Sequence, residues 1–278
     1  MNCLCCCVNH LIVLLFFLWA PISQALGSTV FIYADKGTCM ECVVETEKSL
    51  SNELSNYSIK RIMADELLMS RWQGEAALLV IPGGRATPYA ELLNGKGNDL
   101  IRQFVEGGGS VLGLCAGGYY GGAFVEFAKD TTMEVVRKHE LAFFPGTVIG
   151  PVLADYDYYS ESGARAARIK WIGVGESLYE RKATLYYNGG GYFAQANEYP
   201  KTSVIATYEG VHNNPAAIIE VLVAQGVAIL SGVHFEYNCS VLNRIDWELN
   251  NFIEEYNCQR RELLRNVLSR LGLKLMAS

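Results

Sequence analysis

The chain has 278 residues, half of them apolar and 19 % charged, the composition of a folded globular protein and not of a disordered one. Its formal net charge is −6, and no Lys/Arg cluster is interleaved with aromatic residues, so nucleic acid is not an expected partner. Nine cysteines divide into Cys3, Cys5, Cys6 and Cys7 at the start and Cys39, Cys42, Cys115, Cys239 and Cys258 in the body. An odd number in the body leaves at least one thiol unpaired even if the others form disulfides, and an unpaired thiol in an exported chain is a candidate nucleophile.

In chain order, the first element is the unbroken apolar run Leu11–Ala20 (LIVLLFFLWA), followed by Pro21 and the small-x-small triplet Ser23-Gln24-Ala25. A membrane span needs about 20 apolar residues, and this run is shorter. The pattern is that of a secretory signal over residues 1–25, cleaved after Ala25, which places the mature chain outside the cytosol, secreted or periplasmic. No Lys or Arg precedes the run, which keeps a second reading open: an uncleaved membrane anchor, with acylation of the early cysteines.

Residues 28–278 read as a single domain, with no Pro/Ser-rich linker, repeat or low-complexity segment to divide them. Thr29–Tyr33 (TVFIY), Tyr57–Ile62, Ala76–Ile81 (AALLVI) and Ser110–Leu114 have the apolar, β-branched character of strands, while Cys42–Leu54 and Gly95–Glu106 carry apolar residues at helical spacing. Alternation of this kind predicts an α/β fold with a parallel sheet and helices on both faces. Beyond residue 160 the segments Arg168–Ile172, Thr184–Tyr187 and Ser203–Tyr208 shorten and alternate, and Ala217–Val223, Gln225-Gly226 and Val227–Leu230 read as a hairpin. These predict an antiparallel extension of the same sheet, and Leu242–Leu271 predicts one or two surface helices.

The chemistry concentrates in three places. Gly113-Leu114-Cys115-Ala116-Gly117 is a G-x-C-x-G turn directly after a buried strand, the geometry of a nucleophile elbow with sulfur as the nucleophile. Small neighbours let the backbone bend, and the N-terminus of the following helix favours a thiolate. Gly232-Val233-His234-Phe235-Glu236 follows another strand, placing an imidazole that takes the thiol proton and a carboxylate that orients the ring and stabilises imidazolium. Pro82-Gly83-Gly84-Arg85 ends the strand Ala76–Ile81, and the N–H groups of Gly83, Gly84 and Ala116 are expected to face a developing oxyanion and the substrate. Cys115, His234 and Glu236 are therefore the expected catalytic residues.

Taken in this order, strand–PGG, strand–GLCAGG–helix and strand–GxHxE resemble the class I glutamine-amidotransferase fold, a flavodoxin-like three-layer sandwich. Within it, Ile81–Gly121 is more closely similar to the N-terminal domain of fungal-type biotin–protein ligases. Met133–Val136, Glu140–Gly146 (ELAFFPG), Ser162–Ala167 and Tyr187–Gly191 (YNGGG) extend that resemblance over nearly all of the mature chain. The resemblance implies attack of Cys115 on a carboxamide, proton transfer by His234 and support of the ring by Glu236. Phe235 departs from it, since many relatives carry Pro between the His and the carboxylate. No Gly-Arg-Gly-Arg adenylate loop occurs, so attachment of biotin is not expected.

The leading expectation is a cysteine-dependent hydrolase acting on a carboxamide or γ-glutamyl C–N bond of a small-molecule or peptide amide, without a cofactor. The alternative is a non-catalytic small-molecule-binding or regulatory module of the same fold. Cys39-Met40-Glu41-Cys42 has the spacing of a thioredoxin-like redox motif, but no Trp precedes it and the downstream architecture differs. A local Cys39–Cys42 disulfide, or a loop that touches ligand, is the simpler expectation there, and Cys239 with Cys258 is a second candidate pair. The Gly189-Gly190-Gly191 loop reads either as a border of the active cleft or as a turn between antiparallel strands. No cluster has zinc or calcium ligand spacing, so no metal is expected.

Overall fold

The computed structural model of the chain describes residues 27–173, 180–238 and 253–276. Both readings of the apolar run at residues 11–20, and the Cys239 half of the second candidate disulfide, lie outside them.

One sheet of thirteen strands organises the domain. Its parallel part runs β2 (Ser58–Ile62), β1 (Thr29–Tyr33), β3 (Ala76–Ile81), β4 (Ser110–Leu114) and β13 (Gly226–Ser231). Strands β1, β3 and β4 are buried on both faces, so they carry the continuous apolar runs that a covered parallel sheet requires. Side chains alternate between two cores. Val30, Ile32, Leu78 and Val80 join Val43, Leu50 and Leu54 of α1 (Met40–Glu53) on one face. Phe31, Tyr33, Leu79 and Ile81 meet α3 (Ala86–Leu93) and α4 (Lys96–Glu106) on the other, with α2 (Ala64–Leu67) at the edge of that core. Each such fully buried aliphatic or aromatic side chain stabilises the fold by about 1.5–3 kcal/mol.

The parallel part gives way at β12 (Ala216–Val223), which pairs antiparallel with β13 from Ile218↔Ser231 to Val223↔Gly226, the hairpin expected from the sequence. From there the sheet continues through β10 (Tyr192–Phe193), β7 (Phe144–Gly150), β5 (Gly122–Phe127) and β6 (Val135–Lys138), while β11 (Thr202–Tyr208), β8 (Ala164–Ile172) and β9 (Glu180–Asn188) branch from β12. The strands β5, β6 and β7 are additions to the sequence reading. Phe144-Pro145-Gly146 looks like a turn, yet it opens β7, and Pro145 falls in the register shift against β5, a bulge where Pro is tolerated.

Of the one or two surface helices expected over Leu242–Leu271, the described residues contain α6 (Ile253–Arg270), which exposes Cys258, Arg261, Glu262 and Ser269 and buries its other face; residues 242–252 lie outside the described residues. Leu263, Leu264, Val267, Leu268 and Leu271 are all no more than 1 % exposed and close the α1 core. Glu53 of α1, itself buried, accepts from Arg265 Nη1 at 2.6 Å and pairs with Arg261, which ties the two helices together. Removing both arginines would leave the buried Glu53 charge unpaired, the costly half of such an arrangement.

Candidate active site

The site forms where β1, β3, β4 and β13 end, the rim at which open α/β sheets place their ligands. Cys115 follows β4 and holds φ 50° and ψ −101°, a conformation that L-residues rarely occupy. The backbone around it leaves no room for side chains. A Cβ on Gly117 would stand 2.0 Å from the Ile81 carbonyl oxygen, and one on Gly118 would stand 2.5 Å from that of Ser231. The Ser231 carbonyl also accepts the Cys115 N–H at 2.8 Å, so β3, β4 and β13 together fix the elbow. The helix after it, α5 (Ala116–Tyr120), has only five residues, so its dipole is a lesser support for a thiolate than the sequence motif suggested.

His234 and Glu236 meet as expected. His234 Nδ1 lies 2.6 Å from Glu236 Oε1, and the two residues are 2 % and 1 % exposed. With Nδ1 committed to the carboxylate, Nε2 is the ring nitrogen left for Cys115, whose charge acts on the imidazole. Burial pulls the imidazole down, but Glu236 and then Cys115 outweigh it and hold the ring well above the ordinary histidine range. The Cys115 thiol also donates to the Asn188 carbonyl at 3.6 Å.

Distant segments hold this pair in place. The His234 N–H donates to the Tyr186 carbonyl at 2.9 Å. Arg260 Nη1 of α6 donates to the Phe235 carbonyl at 2.7 Å, and Ser49 Oγ of α1 donates to that of Glu236. Phe235 itself is fully buried in the α1–α6 core, an aromatic anchor between His234 and Glu236. Tyr186 and Tyr237 stack at 4.6 Å, and both rings pack on the imidazole.

The Pro82–Arg85 loop divides between two roles. Gly84 and Ala116 border a cavity beside Cys115. Gly83 instead packs behind the ring, since a Cβ there would lie 2.8 Å from Cys42 Sγ and 2.9 Å from His234 Cε1. Its carbonyl accepts from the Cys39 N–H and from Tyr89 Oη, both at 3.0 Å, so the loop is anchored on two sides.

Cys115 faces two hollows. One, of about 380 Å³, has walls from Pro88, Tyr119, Val125, Phe127, Tyr156 and Tyr158 and is predominantly apolar. His139 lines it as well; it is 5 % exposed, and neither ring nitrogen meets hydrogen-bond geometry with any group. Burial and then the Arg137 charge push that imidazole down to about 4, so it is neutral at pH 7. The other hollow, of about 530 Å³, is polar and contains Cys39, Glu41, Cys42, Glu161, Tyr186, His234 and Tyr237. Asn188 borders both, and its Oδ1 is buried without a hydrogen-bond partner.

The Gly189–Gly191 loop thus borders the cleft through Gly189, and three tyrosines lock its carbonyls: Tyr119 Oη on Gly189 at 3.1 Å, Tyr187 Oη on Gly190 and Tyr208 Oη on Gly191, each at 2.9 Å. Sequence reasoning missed these tyrosines, Asn188 and His139. Of them only Asn188 had a local signal, its place at the head of the glycine loop. Cys39 and Cys42 stand as two thiols in the structure, and Cys258 is exposed on α6. Among the described residues no group of His, Cys, Asp and Glu could hold a metal ion, and no helix is long and apolar enough to cross a membrane.

Residues 28–278 match the family model described as biotin-protein ligase, N terminal. The biotin–protein ligase of Schizosaccharomyces pombe is 37 % identical over 252 residues, covering 88 % of this chain but 38 % of the ligase. An uncharacterized protein of Chlamydia muridarum is 34 % identical over 212 residues, covering 75 % of this chain and 80 % of that one. Among solved structures, a cytoplasmic protein of Salmonella typhimurium superposes with a TM-score of 0.48 at 15 % identity, covering 89 % of this chain and all of that one. With residues 28–278 matched, the chain belongs to the biotin-protein ligase N-terminal family.

Proposed function

We propose that this domain, of class I glutamine-amidotransferase type, is a cysteine-dependent hydrolase of a carboxamide or γ-glutamyl C–N bond in a small-molecule or peptide amide. The observation that carries the reading is the buried His234–Glu236 pair at 2.6 Å, beside a cysteine held on a strained elbow and open to a cavity. A structural cysteine has no need of positive φ or of an oriented imidazole. The chain spans 38 % of the ligase it resembles and has no Gly-Arg-Gly-Arg run, which speaks against biotin attachment by these residues.

In this scheme the Cys115 thiolate attacks the carbonyl carbon, and the backbone N–H groups of Gly84 and Ala116 receive the developing oxyanion. The His234 imidazolium, steadied by Glu236, gives its Nε2 proton to the departing amine. Water then attacks the thioester, with neutral His234 taking its proton, and the acid leaves as Cys115 is regenerated. Overall, one amide and one water become one acid and one amine.

The test is hydrolysis of glutamine, γ-glutamyl peptides and biotinyl amides by the wild-type protein and Cys115→Ala. Turnover of one class, lowered at least ~10³-fold in the variant, is expected for loss of a nucleophile. Turnover that survives the substitution, or none with any amide, sinks the proposal and favours a binding module.

A further inference from the structure

The feature that the hydrolase reading leaves unused is the Cys39/Cys42 pair. Cys39 is the N-cap of the 14-residue helix α1, and its Sγ accepts the Cys42 N–H at 3.2 Å. A disulfide needs Cβ atoms about 3.5–4.5 Å apart, closer than the roughly 5–6 Å of residues three apart within a helix, so the bridge closes by a movement of Cys39, which as the N-cap has extended backbone outside the regular helix. The two thiols are not equivalent. Cys39 is partly exposed in the polar hollow, whereas Cys42 is buried behind it against Gly83. Tyr237 Oη donates to Cys42 Sγ at 3.3 Å and lies 3.9 Å from Cys39 Sγ, so one hydroxyl serves both sulfurs.

The acidities separate in the same sense. The hydrogen bond from the Cys42 side chain holds Cys39 down to about 6 against its burial, with the Cys42 N–H, the His234 charge and Tyr237 adding to the effect. That same hydrogen bond, and then burial, raise Cys42 well above the ordinary thiol range. A partly exposed acidic thiol at a helix N-cap, followed three residues on by a buried neutral one, is the order that dithiol exchange requires.

We infer that Cys39 and Cys42 form a redox-active dithiol, distinct from the triad, that exchanges with small disulfides entering the polar hollow. The Cys39 thiolate attacks one sulfur of the disulfide, forming a mixed disulfide and expelling one thiolate. Cys42 then attacks Cys39 Sγ and closes the bridge. Its proton goes to the departing thiolate, so one external disulfide becomes two thiols as the protein dithiol is oxidised. Glu41, Asp157 and Glu161 on the hollow's wall outnumber Arg85 and the His234 imidazolium and favour a cationic disulfide, which makes cystamine the probe.

Trypsin releases residues 37–48 as a peptide whose only cysteines are Cys39 and Cys42. The native full-length protein is exposed to cystamine, quenched in acid, alkylated and digested. The peptide is expected to lose two hydrogens and to regain them with dithiothreitol. At pH 6, thiolate fraction and nucleophilicity together predict a first step roughly tenfold faster than in urea-unfolded protein. Cys42→Ser should leave a cysteamine adduct on Cys39, and Cys39→Ser should leave Cys42 unmodified. A wild-type peptide that stays a dithiol, a Cys39–Cys115 crosslink, or a rate no faster than in the unfolded chain would each overturn the inference. The wild-type measurement decides it even if a variant fails to fold.

Discussion

The parallel and antiparallel parts of the sheet contribute different things to the same cleft. Ends of the parallel strands supply every group with a proposed chemical role: Cys39 after β1, Gly84 after β3, Cys115 after β4 and His234 after β13. The rest of the sheet, antiparallel except for the parallel β5–β7 pair, and its loops supply walls, with Asn188 ending β9 and Gly189 after it, His139 after β6 and the Tyr156–Tyr158 segment after β7. Parallel neighbours point the same way, so their ends converge on one rim and their glycines must let backbones nearly touch. Antiparallel strands spread their ends and leave a hollow between them, whose glycine loop is itself fixed by Tyr119, Tyr187 and Tyr208. Reactive geometry is rigid in one half, and shape is set in the other.

The largest expected effect tests that rigidity. Gly117→Ala would push a Cβ into the Ile81 carbonyl, and a cost above about 3 kcal/mol is expected in the urea midpoint. A glycine in open surroundings, Gly173 after β8, meets nothing closer than 3.7 Å, and Gly173→Ala should stay within about 0.5 kcal/mol. Equal costs would erase the contrast.

A smaller effect probes the wall. His139 is held at about 4, below the ordinary value of 6.5, so between those limits the unfolded chain binds the proton that the folded one refuses. The stability contributed by the neutral ring is complete above pH 6.5 and is lost as pH falls toward 4. From pH 7 to 4.5 the wild-type protein should lose about 2 kcal/mol more than His139→Phe, compared by urea unfolding at both values. If both lose stability equally, His139 is not a buried neutral ring.

The same division explains what was legible in the sequence. Strands β1, β3 and β4 have the bounds expected of them because burial on both faces demands unbroken apolar runs. The G-x-C-x-G and G-x-H-x-E turns were readable because each packs its chemistry into five residues after such a run. Strands β5 to β7 escaped because half-buried segments with Pro145 and Gly146 in them look like loops. The tyrosines that hold the glycine loop are 17 to 70 residues from their partners or, like Tyr187, adjacent without a motif, so no local pattern marks them. The Cys39/Cys42 spacing was visible, but which sulfur is exposed, and that Tyr237 joins them, required the fold.

The most direct test of the account is alkylation of Cys115 by iodoacetamide, followed in the tryptic peptide 103–129, where it is the only cysteine. The account predicts faster reaction in the native protein than in urea, at pH 6, and loss of that advantage in His234→Ala. A native Cys115 that reacts no faster than the unfolded one, with His234→Ala unchanged, would contradict a Cys115–His234–Glu236 triad.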